Sequence, residues 1–376
     1  MLVAGLPAAP PPSGWAAASN ASLAADEGGS VTILSASGAT GFRREGSRRV
    51  GDYPFSVAAA DLNGDGRTDL VTANADAKTL SILWGARGGA FRSERTIAVG
   101  RGPSGVVARD LDGDGRVDLA VADSGDNEVV VLDGLGSGRF RVAARYAVGS
   151  HPTALLAGDW NGDGVPDLAV ADTGGSSVSV LFGRAGGGFR PAADVPVGQR
   201  PDALTAADFD RDGTLDLACS DFGSGTVSVL LGSGGGALQP ARTVHLGGQP
   251  DAVVAADLNG DGVADLVAAD FAGDRVKILL GRGDGAFVAG AVLPTASGPD
   301  GLIATDVNGD GITDLAAADY GSGSLTLFLG AGKGTFTRLA PVAAGALPTA
   351  LVAWHAGSSP GVRLAVAGAG RSGDGP

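Results

Sequence analysis

Ten residues, Asp61-Leu62-Asn63-Gly64-Asp65-Gly66-Arg67-Thr68-Asp69-Leu70, recur along this chain with a constant step. The pattern begins again at Asp110, Asp159, Asp208, Asp257 and Asp306, each 49 residues after the last. A fixed period of this length marks an array of like supersecondary units, and it constrains the fold more than any other feature.

The ten residues also carry chemistry. Positions one, three, five and nine hold side-chain oxygens: Asp61, Asn63, Asp65 and Asp69 in the first copy, and Asp110, Asp112, Asp114 and Asp118 in the second. Asp159, Asn161, Asp163 and Asp167 follow, then Asp208, Asp210, Asp212 and Asp216. The last two sets are Asp257, Asn259, Asp261 and Asp265, and Asp306, Asn308, Asp310 and Asp314. A glycine at position six allows a turn too sharp for a Cβ. The backbone carbonyl of position seven, at Arg67, Arg116, Val165, Thr214, Val263 and Ile312, would complete a ring of oxygens. Hard cations take several oxygen ligands, and Ca²⁺ tolerates the irregular geometry of a short loop. Asp/Asn/Gly turns form without metal too, but six copies with at least three carboxylates each would repel themselves unless neutralised. Six Ca²⁺ sites are therefore expected.

These loops are not EF-hands, which need a bidentate Glu at position twelve. Thr72, Val121, Val170, Cys219, Ala268 and Ala317 stand there. The acid at position nine instead opens a β-like run, as in Asp118-Leu119-Ala120-Val121-Ala122-Asp123, so each loop joins two strands.

One period supplies four strands. Pro152 precedes a small-residue strand at 154–158, the loop follows, and a second strand covers 168–171. After the Asp172-Thr173-Gly174-Gly175 turn, Val178 to Phe182 alternates as a half-buried strand does. Gly186-Gly187-Gly188 then turns into a fourth strand opened by Phe189. Four antiparallel strands per unit form the blade of a β-propeller. The Ala-rich first strand suits the crowded axis.

Prolines at 54, 103, 152, 201, 250, 299 and 348 mark seven blades. The seventh has lost its loop: His355, Gly357, Ser359 and Arg363 occupy the ligand positions, and Pro360 replaces the turn glycine. It also ends after two strands, near Gly370. Val31-Thr32-Ile33-Leu34 matches a third strand and Phe42 opens a fourth, so both termini are expected to share one blade and remove the open edges. The fold class is all-β, a closed seven-bladed propeller over 20–370, flanked by a disordered Pro/Ala-rich tail at 1–19 and a short tail at 371–376.

Composition agrees. With 65 Gly and 5% aromatics, the chain reads as short strands and tight turns. The net charge of −14 is mostly a property of the loops, since six divalent ions would neutralise most of it. No basic patch is evident, which argues against nucleic acid as a partner. No apolar run is long enough to span a bilayer. Cys219, the only cysteine, reads as a small core residue.

The six loops, with strands such as Val227-Ser228-Val229-Leu230-Leu231-Gly232 and the Gly-rich turn and Phe that follow, resemble FG-GAP/VCBS repeats. Such repeats form the seven-bladed propeller of integrin α subunits and of many bacterial surface and secreted proteins. The resemblance implies Ca²⁺ in the loops, on the face opposite the ligand surface. Arg211 replaces Gly at position four of the fourth loop, which is not a ligand position, so that site should survive.

No catalytic constellation emerges. Gly357-Ser358-Ser359-Pro360-Gly361 lies between strands, not at the strand-to-helix elbow of a hydrolase. Arg282-Gly283-Asp284 falls in a Gly-rich turn, and His151, His245 and His355 are scattered. One asymmetry stands out. Blades four to six carry Asp202, Asp251 and Asp300 after the proline, where the others have Phe55, Ser104, Thr153 and Thr349. The same blades carry Phe222, Phe271 and Tyr320 after the second strand, where earlier blades have Ala75, Ser124 and Thr173. Each Asp is expected beside the aromatic of its own blade. The reading is a monomeric, extracellular, cell-surface or periplasmic scaffold that binds a protein or glycan. A carbohydrate-binding module of a polysaccharide-processing system and a polysaccharide lyase or hydrolase are the alternatives.

Overall fold

A computed structural model describes residues 25–36, 42–191, 193–355 and 362–369. The tails, the turn glycine replacement at Pro360 and the Gly357–Gly361 string lie outside the described residues.

The described chain forms seven antiparallel sheets, each built around the strand order the repeat predicts. In blade one, Pro54–Ala60 leads into the Asp-rich loop, Asp69–Asn74 returns, and Thr79–Gly85 and Phe91–Ala98 lie successively further out. The first strands are short and small-residue because they crowd together. Each packs on the first strand of the next blade, and Pro348–His355 packs on Pro54–Ala60, which closes the ring.

The closing blade combines the termini as expected. Val362–Ala369 pairs with Ala25–Ala36, which pairs with Phe42–Arg49. Its register sets Val31 opposite Ala367, Thr32 opposite Val366, Ile33 opposite Ala365 and Leu34 opposite Leu364.

Outer strands depart from the regular reading. In blade three, Phe189 makes only an isolated bridge to Gly183, and the strand resumes at Ala193–Pro196 beyond Pro191. In blade four, Leu238 bridges Gly232 and the strand resumes at Arg242 beyond Pro240. In blade six it splits into Phe336–Arg338 and Val342–Ala343, making a five-stranded sheet. Proline lacks the N–H that a ladder needs, so it interrupts each strand.

The core is seven seams between adjacent blades. The second strands are buried along their whole length, as in Asp118–Asp123 and Asp314–Asp319. Cys219 lies fully buried in the seam between blades three and four, where burial pushes its thiol well above the usual range.

Candidate functional site

Two groups of residues occupy opposite ends of the blades. The Asp-rich loops sit between first and second strands, and the aromatic and Asp positions sit at the proline end.

Each loop is organised by its first and ninth carboxylates. Asp61 Oδ1 accepts the N–H groups of Gly64 (2.8 Å) and Asp65 (3.0 Å), and its Oδ2 accepts that of Gly66 (2.7 Å). Asp159 and Asp306 repeat the three contacts. Asp69 Oδ2 accepts the Leu62 N–H (3.0 Å), while its Oδ1 accepts that of Gly85 (2.6 Å), sixteen residues on. A Cβ at Gly85 would fall 2.2 Å from the Thr68 carbonyl, so the close approach requires glycine.

The ninth position is fully buried in five of the loops and nearly so at Asp118. Burial raises Asp69, Asp118, Asp167 and Asp216 to about 6, and the carboxylates at positions one, three or five add to it. Asp265 and Asp314 are raised for the same reasons. In the two loops with Asp at position three, Asp110, Asp112 and Asp118 gather their oxygens within 4.8 Å, as do Asp208, Asp210 and Asp216. These clusters of unneutralised oxygens fit a divalent cation. Position five is engaged locally. Asp65 and Asp114 pair with Arg67 and Arg116, while Asp163, Asp261 and Asp310 take hydrogen bonds from Asn161, Asn259 and Asn308.

Loop four keeps this form despite Arg211. That residue adopts φ +62°, near the +77° of Gly64, and donates to the Asp261 carbonyl of the next loop at 3.0 Å.

At the other end, a register shift after the proline marks every first strand, including those carrying Asp202, Asp251 and Asp300. A bulge re-aims the side chain it contains. Ser104 and Thr153, at the same position in blades two and three, donate to the next blade's carbonyls, Pro152 O at 2.7 Å and Asp202 O at 3.4 Å. At the same position Asp202, Asp251 and Asp300 place carboxyl groups of three consecutive blades beside one another. Asp251 is hydrogen-bonded to both Asp202 and Asp300. Burial first, then the neighbouring carboxylates, hold Asp251 well above the usual carboxylate range. Burial also raises Asp202, against the lowering pull of Asp251 and Arg200.

The aromatics form a second arc. Phe222 and Phe271 have ring centroids 6.4 Å apart, and Phe271 and Tyr320 6.1 Å. The structure thus joins like residues across blades. Opposite Phe222 stands Arg200, whose carbonyl takes the Phe222 N–H at 2.9 Å and whose guanidinium lies 4.6 Å from the ring.

Sequence reasoning overlooked Arg200 and Tyr53. Tyr53 packs against Phe55 with ring centroids 5.6 Å apart and the planes tilted by 45°, and its hydroxyl is raised by burial first and then by Tyr320, Asp76 and Asp300. Both residues precede the blade proline with φ of +53°, a conformation costly for non-glycine residues. Comparing that position across blades would have exposed them. Arg282-Gly283-Asp284 is a turn, with the Asp284 carbonyl held by Arg242 at 2.8 Å.

Fold and loops together define a seven-bladed β-propeller built from Asp-loop repeats. The chain belongs to the FG-GAP-like repeat family, whose match covers residues 61–121, 110–170, 159–219, 208–268, 257–317 and 306–358. Curated proteins give no match. Among solved structures, a Lactobacillus plantarum protein is 14% identical, with 89% of this chain and 99% of that one covered and a TM-score of 0.65. The periplasmic gluconolactonase PpgL of Pseudomonas aeruginosa is 17% identical, covering 84% and 97%, with a TM-score of 0.61. An Agrocybe aegerita lectin that recognises non-reducing terminal N-acetylglucosamine is 19% identical, covering 92% and 96%, with a TM-score of 0.58. At these identities the likeness concerns the fold alone.

Proposed function

We propose that this protein is a Ca²⁺-stabilised scaffold outside the cytoplasm that binds a protein or glycan ligand on the face opposite its Asp-rich loops. The observation that carries the reading is the double arc, Asp202–Asp251–Asp300 beside Phe222–Phe271–Tyr320, confined to three consecutive blades. Carboxyl groups hydrogen-bond to hydroxyls, and aromatic faces pack against the apolar side of a sugar ring or against a cation. An extended glycan or a basic segment of a protein suits such an arc, as in an adhesive surface. Ca²⁺ is the cation of choice because the loops offer only oxygen. Extracellular modules bind Ca²⁺ at roughly 10⁻⁴–10⁻³ M, an affinity that would suit a compartment where free Ca²⁺ is high.

The test is a screen of glycan and basic-peptide arrays with and without Ca²⁺, using wild type and Phe222→Ala/Phe271→Ala/Tyr320→Ala. Loss of binding by the variant with an unchanged melting temperature supports the site. Retained binding with lost stability makes the aromatics seam-fillers and overturns it. Turnover of a bound polysaccharide would move the protein to the lyase or hydrolase class.

A further inference from the structure

At the proline end, between blades four and five, lies a cleft of about 490 Å³ lined by Gln199, Arg200, Phe222, Ser224, Gly247 and Gln249 among others. That size falls in the range of small-molecule sites. No Asp or Glu lines it, on a chain whose net charge is −14. Phe222 joins it to the aromatic arc.

Arg200 is the one charged residue of the lining. Its guanidinium lies 4.6 Å from the Phe222 ring centroid and forms no ion pair among the described residues. Asp202 senses that charge without pairing with it. A guanidinium over a ring keeps its N–H edge for a further partner. The turn itself does not call for arginine. The contact to the Phe222 N–H uses the Arg200 carbonyl, and blade six places Gly298 at the same position with φ +64°, against +53° at Arg200. Glycine is at ease in that conformation and arginine is strained.

The floor adds positive charge. In blades three, four and six the Asp ending the second strand takes a hydroxyl hydrogen bond from seven residues on, Ser179 to Asp172, Ser228 to Asp221 and Thr326 to Asp319. In blade five Lys277 stands there and Arg275 two residues before it, 2.8 and 2.9 Å from the buried Asp270 carboxylate. Two cations on one carboxylate leave one positive charge in excess. Lys277 Nζ also donates to the carbonyl of Gly247, in the cleft wall, at 2.8 Å.

We propose that this cleft binds the carboxylate of a uronic acid unit in an otherwise neutral glycan, whose remaining sugars run along the Asp and aromatic arc. The proposal rests on the reading of the proline-end face as the ligand surface, and narrows it to one ligand class. A guanidinium fork matches carboxylate oxygens, and the exposed Gln199 and Gln249 offer amides to neighbouring hydroxyls. A basic segment would meet Arg200 and the excess charge below it. Phosphate is commonly met by a cluster of arginines, whereas one guanidinium reaches this cleft. A polyuronate would set further carboxylates against Asp202, Asp251 and Asp300, so one acidic unit fits better than many. An acidic peptide shares the carboxylate but lacks the hydroxyl-bearing rings that suit the arc. The plain alternative is that Arg200 only covers Phe222, in which case its loss destabilises the fold and leaves binding alone.

The experiment measures binding of the full chain, in Ca²⁺, to an array of glucuronic- and galacturonic-capped oligosaccharides, their carboxyl-reduced counterparts, polygalacturonate and an acetylated Ala-Glu-Ala peptide. At least one capped oligosaccharide should bind roughly tenfold or more tightly than its reduced counterpart. Arg200→Gly should erase that preference while the melting temperature holds or rises, because glycine relieves the left-handed backbone. Arg200→Lys, which keeps the charge without the fork, should retain only part of it. The proposal is overturned if no capped member outbinds its reduced counterpart, if Arg200→Gly keeps the preference, or if the peptide or polygalacturonate binds more tightly than the capped oligosaccharides. Phe271→Ala/Tyr320→Ala should weaken capped and reduced forms alike, whereas Arg200→Gly removes only the difference between them. The ligand face and the acid-reading cleft therefore fail separately.

Discussion

Buried aspartates at the ends of the second strands latch each blade internally. Asp172, Asp221 and Asp319 are fully buried and take hydroxyl hydrogen bonds from the third strand, as from Ser228 to Asp221 at 2.8 Å. One oxygen of each has no partner. Burial raises all three to about 6, above the unfolded value, so the folded state binds more protons between about pH 4 and 6. Stability from these groups is present at low pH and lost as pH rises through 6, at a cost of about 3 kcal/mol each. Asp221→Asn should flatten the pH dependence of the melting temperature over that window in chelator. It should also leave the protein no less stable at neutral pH. A steeper profile or a destabilised variant would refute the assignment. Arg211 offers a second test at this scale. Its left-handed backbone favours Arg211→Gly by up to about 1 kcal/mol, less the lost hydrogen bond to Asp261. A small gain or no change in melting temperature is expected, and a large loss would show that the inter-loop contact dominates.

At the scale of elements, the decisive pieces are the strands that close the ring. Ala25–Ala36 is sandwiched between Val362–Ala369 and Phe42–Arg49, and Val31 and Leu34 are fully buried in the two flanking seams. Removing residues 1–19 should leave the melting temperature unchanged. Removal through Leu34 should bare the Val362–Ala369 edge and two apolar seams, so the shortened chain should melt earlier and associate in sedimentation. A stable monomer would contradict the closure. Blade strands were legible because their apolar runs repeat, whereas the broken outer strands were not. Phe189 and Leu238 carry the right periodicity, but Pro191 and Pro240 remove ladder donors that periodicity alone does not weigh.

For the whole molecule, the proposed Ca²⁺ sites would neutralise clustered carboxylates in six of the seven blades. At ten times its dissociation constant each ion adds about 1.4 kcal/mol, so six add about 8 kcal/mol. EDTA should therefore lower the melting temperature sharply, and calorimetric titration of the stripped protein should return six equivalents of Ca²⁺. Identical melting curves with and without chelator would end that reading. The single-ring architecture predicts that all six sites stabilise one cooperative transition.

The sequence by itself determined the repeat, the seven blades, the shared closing blade and the Asp-rich loops, because each is local or recurs at a fixed 49-residue step. It named Asp202, Asp251, Asp300 and the three aromatics as residue types in register. Only the tertiary structure decided what they touch. The bulge after each proline re-aims the aspartates, and the ring sets like positions of neighbouring blades side by side, so Asp251 meets two carboxyls while Phe222 faces Arg200. Contacts between blades depend on how the sheets pack and not on the spacing within any one repeat.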